Sequence, residues 1–80
     1  MNLKQARYIR TIAQEGGVTA AAKKLYISQP SLSQMLRQIE GELGVELFDR
    51  TVQPFRPTYA GECYLRAAQA MLSANEILEN

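Results

Sequence analysis

The sequence predicts a mostly α-helical domain: a three-helix core, a short two-stranded hairpin and a long final helix. Three observations carry this. Apolar residues recur at spacings of three and four along most of the chain, the period of an amphipathic helix. Residues suited to start or stop helices punctuate that pattern: Asn2, Gly16-Gly17, Ser28-Gln29-Pro30, Gly44 and Thr58. Between Gly44 and Thr58 the chain instead offers Leu47, Phe48, a Gln53-Pro54 turn and Phe55-Arg56, which suit a small hairpin.

The first helix is expected over Asn2 to Gln14, with Asn2 as cap and Gln5 as its capping-box partner. Leu3, Ala6, Ile9, Ile12 and Ala13 form its apolar stripe. Tyr8 lies at the edge, and Lys4, Arg7 and Arg10 fall mostly on the wet side. Gly16-Gly17 ends it, one glycine supplying a left-handed C-cap. A short second helix follows from Thr19, its cap, to Leu25. Ala20, Ala21 and Ala22 allow close approach there, and Lys23 and Lys24 point outward. Tyr26-Ile27-Ser28 then forms a connection as tight as that of a helix-turn-helix. The third helix carries Leu32, Leu36, Ile39 and Leu43 on one face, with Pro30 in its first turn, where its missing donor costs nothing. Gly44 ends it. Val45, Leu47 and Phe48 return to the core, while Asp49, Arg50, Thr51 and Val52 lead outward. Pro54 argues against a long ladder. Thr58 caps a last helix running from Tyr59 to about Leu78.

Composition narrows the function. With 46% apolar residues in 80, the chain can fold as one small domain. Cys63 is the lone cysteine and histidine is absent, so neither a disulfide framework nor a zinc site is expected. No Ser, Cys or carboxylate stands in a pattern suited to catalysis. No signal peptide and no run of the roughly 20 apolar residues that span a bilayer is present, so no membrane partner and a cytoplasmic setting are expected. The net charge of +1 is uninformative, but the charges are unevenly spread. Six of the 9 basic residues precede Glu40, and seven of the 8 acids lie at or beyond it. The first half can therefore present a positive face. The helical pattern still runs at Asn80, as expected of a piece of a longer protein.

The third helix is the candidate reader. Opposite its apolar face stand Gln29, Ser31, Gln34 and Arg37, with Ser33 at the flank: short or flexible hydrogen-bonding groups that suit the major groove of DNA. Periodicity alone leaves a second reading equally open, a helical protein-interaction module that dimerises through Tyr59 to Leu78.

A longer run of residues separates the two. Val18-Thr19, Ala21-Ala22, Leu25, Ser28-Gln29-Pro30-Ser31-Leu32-Ser33, Ile39-Glu40, Leu43-Gly44, Leu47-Phe48-Asp49-Arg50, Thr58 and Ala60-Gly61 together resemble the N-terminal DNA-binding domain of the LysR-type transcriptional regulators. The resemblance covers nearly the whole chain without insertions. It implies a winged helix-turn-helix (three-helix core plus short two-stranded wing) over residues 1–58. A linker helix used for dimerisation would occupy residues 59–80. It also implies a bacterial, dimeric DNA-binding protein. A C-terminal effector domain, absent here, would take the small-molecule effector, and no cofactor is implied for the present residues. Tetramer formation and contact with RNA polymerase are implied for the full-length protein.

Carried over position by position, the resemblance makes Gln29 the base-reading glutamine, flanked by Pro30, Ser31, Ser33 and Gln34. The alternative for Gln29 is a side chain facing water, and Pro30 can serve as a helix starter. Many relatives carry arginine where this chain has Gln34, so the sequence read should differ. Thr19, Lys23, Arg37, Arg50, Thr51, Gln53 and Arg56 are the candidates for DNA backbone and wing contacts, with Arg10 at the margin. Two of them have a competing role: Arg37 can pair with Glu40 or Glu42, and Arg50 with an acid of the same subunit. The wing tip, Val52-Gln53-Pro54, lacks the basic residue that relatives often carry. Tyr59, Tyr64, Ala68, Met71, Leu72 and Leu78 are the candidates for dimerisation. Asn75 falls in that seam, where a buried Asn can fix register.

Overall fold

A computed structural model of the chain describes residues 1–79. Its element order is α1 (Leu3–Glu15), α2 (Val18–Leu25), α3 (Gln29–Leu43), β1 (Phe48–Asp49), β2 (Arg56–Pro57) and α4 (Tyr59–Glu79). The two strands pair antiparallel, Phe48 with Pro57 and Asp49 with Arg56. This is the mostly helical winged helix-turn-helix expected from the sequence. Asn80, the last residue of the expected linker helix, lies outside the described residues.

Local chemistry sets most helix ends. Asn2 Oδ1 accepts the Gln5 N–H at 2.8 Å, and Gln5 Oε1 accepts the Asn2 N–H at 3.2 Å, a complete capping box. Gly16 and Gly44 take left-handed conformations (φ 76° and 73°) and close α1 and α3. Thr58 Oγ1 accepts the Gly61 N–H at 3.0 Å and donates to the Glu46 carbonyl at 2.6 Å, capping α4 while tying its start to the preceding loop. The second helix differs from expectation. It begins at Val18 with Gly17 as N-cap and no side-chain cap bond, so Thr19 lies inside the first turn, exposed.

The central helix is α1, which packs against both α2 and α4. Ala6, Ile9 and Ile12 of α1, Ala21 and Ala22 of α2, and Leu32, Leu36 and Ile39 of α3 are buried together with Leu47, Phe48, Tyr64, Ala68 and Leu72. Burying each large aliphatic is worth about 1.5–3 kcal/mol relative to exposure. Thr11 is also buried, and its hydroxyl donates to the Arg7 carbonyl at 2.8 Å. Leu43 and Val45, expected in the core, are 52% and 45% exposed. Beyond Ile39 the third helix has outrun the core, and the Gly44 turn delivers Leu47 and Phe48 to the interior instead. Leu3 likewise lies at the surface.

Two positions are governed by backbone proximity. At Gly61 a Cβ would overlap the Leu47 carbonyl, so only glycine lets α4 approach the loop entering β1 this closely. At Gly16 a Cβ would overlap the Pro54 side chain, and the Gly16 carbonyl accepts the Phe55 N–H at 2.8 Å. This bond holds Phe55 outside the ladder. The second strand is therefore Arg56–Pro57, not Phe55-Arg56, and the Phe55 ring lies 6.2 Å from that of Phe48.

Tyr26 occupies a left-handed conformation (φ 57°, ψ 42°) at the C-cap of α2. Its N–H reaches the Ala22 and Lys23 carbonyls, and the Ile27 N–H reaches Ala22 at 3.1 Å. The residue is 94% exposed, so its packing offsets none of the cost of that conformation. Tyr26→Gly should therefore raise stability by about 0.5–1 kcal/mol, the relief of strain exceeding the added freedom of the unfolded chain. Gly61→Ala should lower it by about 3 kcal/mol through overpacking against main chain. Urea denaturation of both variants checks the two signs.

Candidate nucleic-acid interface

The start of α3 is polar, exposed and ordered by its own side chains. Ser28 Oγ accepts the Ser31 N–H at 3.2 Å and donates to Ser31 Oγ at 2.7 Å. Gln29 Nε2 donates to Ser33 Oγ at 2.7 Å, one helical turn on. Gln29, Pro30, Ser31, Gln34 and Arg37 are exposed, and Ser33 is half-buried. The apolar face of the same helix is held by Leu32, Leu36 and Ile39, so the polar face points away from the core.

A surface cleft runs between the start of α2, the start of α3 and the hairpin. Thr19, Gln29, Ser33, Arg50 and Gln53 line it, together with Glu15, Gly16, Gly17, Val18, Ala20 and Phe55. Five of the residues named from sequence thus share one opening, although they span positions 19 to 53. Pro30, Ser31, Gln34, Lys23, Thr51 and Arg56 lie outside it. The backbone N–H groups at the start of α2 lack a side-chain cap. They border the same cleft, where an anion would find free donors and the positive end of the helix dipole.

Several expected charges are engaged elsewhere. Arg50 Nη2 lies 2.7 Å from Glu40 Oε1, its Nη1 donates to the Phe48 carbonyl at 3.4 Å, and its guanidinium sits over the Phe55 ring at 5.9 Å. Arg50 is therefore a structural residue first, and its availability to DNA is reduced. The other Glu40 oxygen accepts the Leu47 N–H at 2.7 Å. With Glu40 committed to Leu47 and Arg50, the competing Arg37–Glu40 pair does not form, and Arg37 makes no ion pair among the described residues. Lys23 and Arg56 are likewise unpaired among them, whereas Lys24 pairs with Glu15 at 3.6 Å. The Thr51 hydroxyl donates to Asp49 Oδ1 at 2.6 Å and its N–H donates to the same oxygen at 2.9 Å, so Thr51 first serves the turn. These two bonds hold the Asp49 carboxyl below the ordinary carboxylate range, with a smaller pull from Arg56. Arg10 is half-buried, and its Nε lacks a partner among the described residues.

The candidates on α4 divide in two. Tyr64, Ala68 and Leu72, named as candidates for dimerisation, are buried in this chain's own core, the part of the stripe that covers it. Burial also pushes the Tyr64 phenol above its ordinary range. Met71 is half-buried, whereas Tyr59 and Leu78 are 79% and 85% exposed. Leu78, Met71, Ala74 and Asn75 line a mostly apolar groove with Asn2, Leu3 and Lys4 of the opposite end of the chain. Asn75 Nδ2 donates to Glu79 Oε1 at 3.2 Å.

Sequence reasoning missed Tyr26 and Ile77, the latter 76% exposed beside Leu78. Tyr26 carried a usable signal. The tight connection contains no glycine or asparagine, and a β-branched Ile27 resists the left-handed region more than tyrosine does.

The profile described as "Bacterial regulatory helix-turn-helix protein, lysR family" matches residues 3–62. The chain belongs to the LysR family. It is 49% identical over 73 residues to the HTH-type transcriptional regulator BsdA of Bacillus subtilis (strain 168), covering 90% of this chain and 25% of BsdA. The crystal structure of the BenM DBD with catB site 1 DNA superposes with a TM-score of 0.90 at 35% identity, covering 98% of this chain and 88% of that one. The CbnR DBD–DNA complex gives 0.86 at 32% identity, covering 99% and 91%. The chain spans about a quarter of the length of the curated relatives it matches. Among the described residues no helix is long and apolar enough to cross a membrane.

In this LysR-family domain the Glu40 carboxylate joins α3 to the hairpin. Glu40→Ala should destabilise the fold by about 2 kcal/mol, because the Leu47 N–H loses its partner in a largely buried setting. Arg50→Ala should cost less than about 1 kcal/mol, its guanidinium being partly exposed. Thermal or urea denaturation of both variants tests that order.

Proposed function

We propose that the chain is the DNA-reading domain of a transcriptional regulator. It binds double-stranded DNA sequence-specifically as a dimer, with α3 in the major groove and the hairpin wing at the minor groove. The observation that carries this reading is the exposed, pre-ordered polar start of α3 facing one cleft with Thr19 and Gln53. The likeness to BenM and CbnR DBDs determined with DNA supports it.

The roles follow from the side chains. Gln29 and Gln34 offer amides to base edges in the major groove, where A·T and G·C pairs differ in donor and acceptor pattern. Pro30 and Ser31 contact a thymine methyl or the backbone. Ser33 faces the groove from the flank. Thr19, Lys23, Arg37 and Arg56 contact phosphates and position the domain without specifying sequence. Gln53 meets the minor groove without a charge. Two copies pair through α4, using its exposed Tyr59 and the groove at Met71 and Leu78. Association of such dimers into a tetramer, and contact with RNA polymerase, belong to the longer protein of which this domain would be part. The alternative, a helical module that buries α3 against a protein, is disfavoured because the exposed face of α3 is polar at Gln29, Ser31, Gln34 and Arg37.

Selection of bound DNA from a random pool tests the reading. The wild-type chain should return a partly palindromic site, and Gln29→Ala should relax the preferred half-site and weaken binding by about 1–3 kcal/mol. With Arg50 held by Glu40 and no basic residue at the wing tip, the salt dependence should stay below that of about ten phosphates per dimer. If Gln29→Ala changed neither affinity nor preference, the assignment of α3 as reader would be wrong.

A further inference from the structure

Resting on the DNA-reading role proposed above, we infer that Ser33 is a positioning residue for Gln29. It holds the Gln29 amide so that one N–H and Oε1 face a single base edge, and it is not an independent base contact. The observation is the 2.7 Å bond from Gln29 Nε2 to Ser33 Oγ.

A glutamine at the first position of a helix has three rotatable bonds and nothing local to hold it. Its terminal amide can also turn over, exchanging donor for acceptor. Ser33 stands four residues on, on the same face, and its half-buried side chain is the better anchored of the two. Val18 lines both clefts that Ser33 lines, and Leu36 lines one of them. The bond consumes one of the two Nε2 hydrogens and draws the nitrogen in toward the helix. One N–H and the whole of Oε1 remain for an outside partner. That pair complements adenine, which offers N7 as acceptor and its N6 amino group as donor in the major groove.

Ser28 and Ser31 act alongside. Ser28 Oγ accepts the Ser31 N–H and gives its own hydrogen to Ser31 Oγ. Ser31's hydroxyl hydrogen is left without a partner among the described residues and can donate. The first turn of α3 thus presents fixed hydrogen-bonding directions before any DNA arrives. Immobilising a rotamer-rich side chain at an interface ordinarily weakens binding by roughly two- to tenfold, and prior ordering removes that loss.

The test is a double-mutant cycle on the selected half-site, with every single-base variant of that site measured in parallel. Ser33→Ala should weaken binding about fivefold, in line with the ordering loss. It should relax discrimination at the one base pair that Gln29→Ala also relaxes, and leave the other positions unchanged. In the Gln29→Ala background, Ser33→Ala should have no further effect. Ser33→Thr, which keeps the oxygen, should restore both affinity and preference. Circular dichroism melts should be alike for all variants, since the bond is at the surface. A Ser33→Ala loss that persists in the Gln29→Ala background, or that relaxes a different base pair, would make Ser33 a contact of its own and overturn the inference while leaving DNA reading intact. If Gln29→Ala changed no base preference, the reading of Gln29 and the positioning role would fall together.

Discussion

One carboxylate makes the helical core and the wing a single body. Glu40 lies near the end of α3, and its two oxygens take the Leu47 N–H and the Arg50 guanidinium, each at 2.7 Å. The first bond fixes where the chain re-enters the core after the Gly44 turn, which places Leu47 and Phe48. The second draws the hairpin's arginine back over Phe55. Main-chain contacts continue this path: the Leu47 carbonyl accepts the Thr58 N–H at 3.0 Å, and Gly61 lets α4 rest against the same residue. Phe55 in turn donates to Gly16 at the end of α1. Hairpin, α1, α3 and α4 therefore meet around the short segment that Glu40 anchors. A charge-assisted bond to a largely buried N–H matters less for its net worth than for the cost of leaving that N–H alone.

This arrangement has a functional price in positive charge. An arginine held by a carboxylate and stacked on an aromatic ring is poorly placed to neutralise phosphate. The chain also has glutamine, not a basic side chain, at positions 34 and 53. With Lys23, Arg37 and Arg56 as the unpaired cations around them among the described residues, the start of α3 and the wing tip offer largely neutral groups, amides and hydroxyls. Such groups discriminate by direction, so their orientation must be controlled. In the proposed reading, the hydrogen bonds within the first turn of α3 supply that control over three or four residues.

The last helix serves two ends. Its first half closes the core with Tyr64, Ala68 and Leu72, and Gly61 permits the close approach. Its second half runs on past the core and leaves Ile77 and Leu78 exposed beside the groove with Leu3. An apolar surface in that place is what a second copy would cover, and it lies away from the polar start of α3.

The sequence by itself determined whatever is decided within about one helical turn. Asn2 with Gln5, Ser28, Thr58 and the left-handed glycines Gly16 and Gly44 set helix ends through bonds reaching three or four residues, and those ends were legible from residue type alone. So was the buried stripe of Leu32, Leu36 and Ile39, because helical period puts those residues on one face whatever lies opposite. The placement of Gln29, Ser33, Thr19 and Gln53 around one cleft was anticipated only through the family resemblance. Tertiary structure decided the rest. Arg37 had Glu40 or Glu42 in prospect and Arg50 only some acid of its own subunit, and the return of the chain at Leu47 gave Glu40 to Arg50. The stripe on α4 showed which residues share a face, but not how far along it the core extends; Tyr64, Ala68 and Leu72 fell inside, and Leu78 fell outside. Leu43 and Val45 were apolar enough for the interior, yet the core had ended before them. Periodicity specifies direction from a helix axis, whereas partner and depth depend on residues distant in sequence, brought close only when the chain is folded.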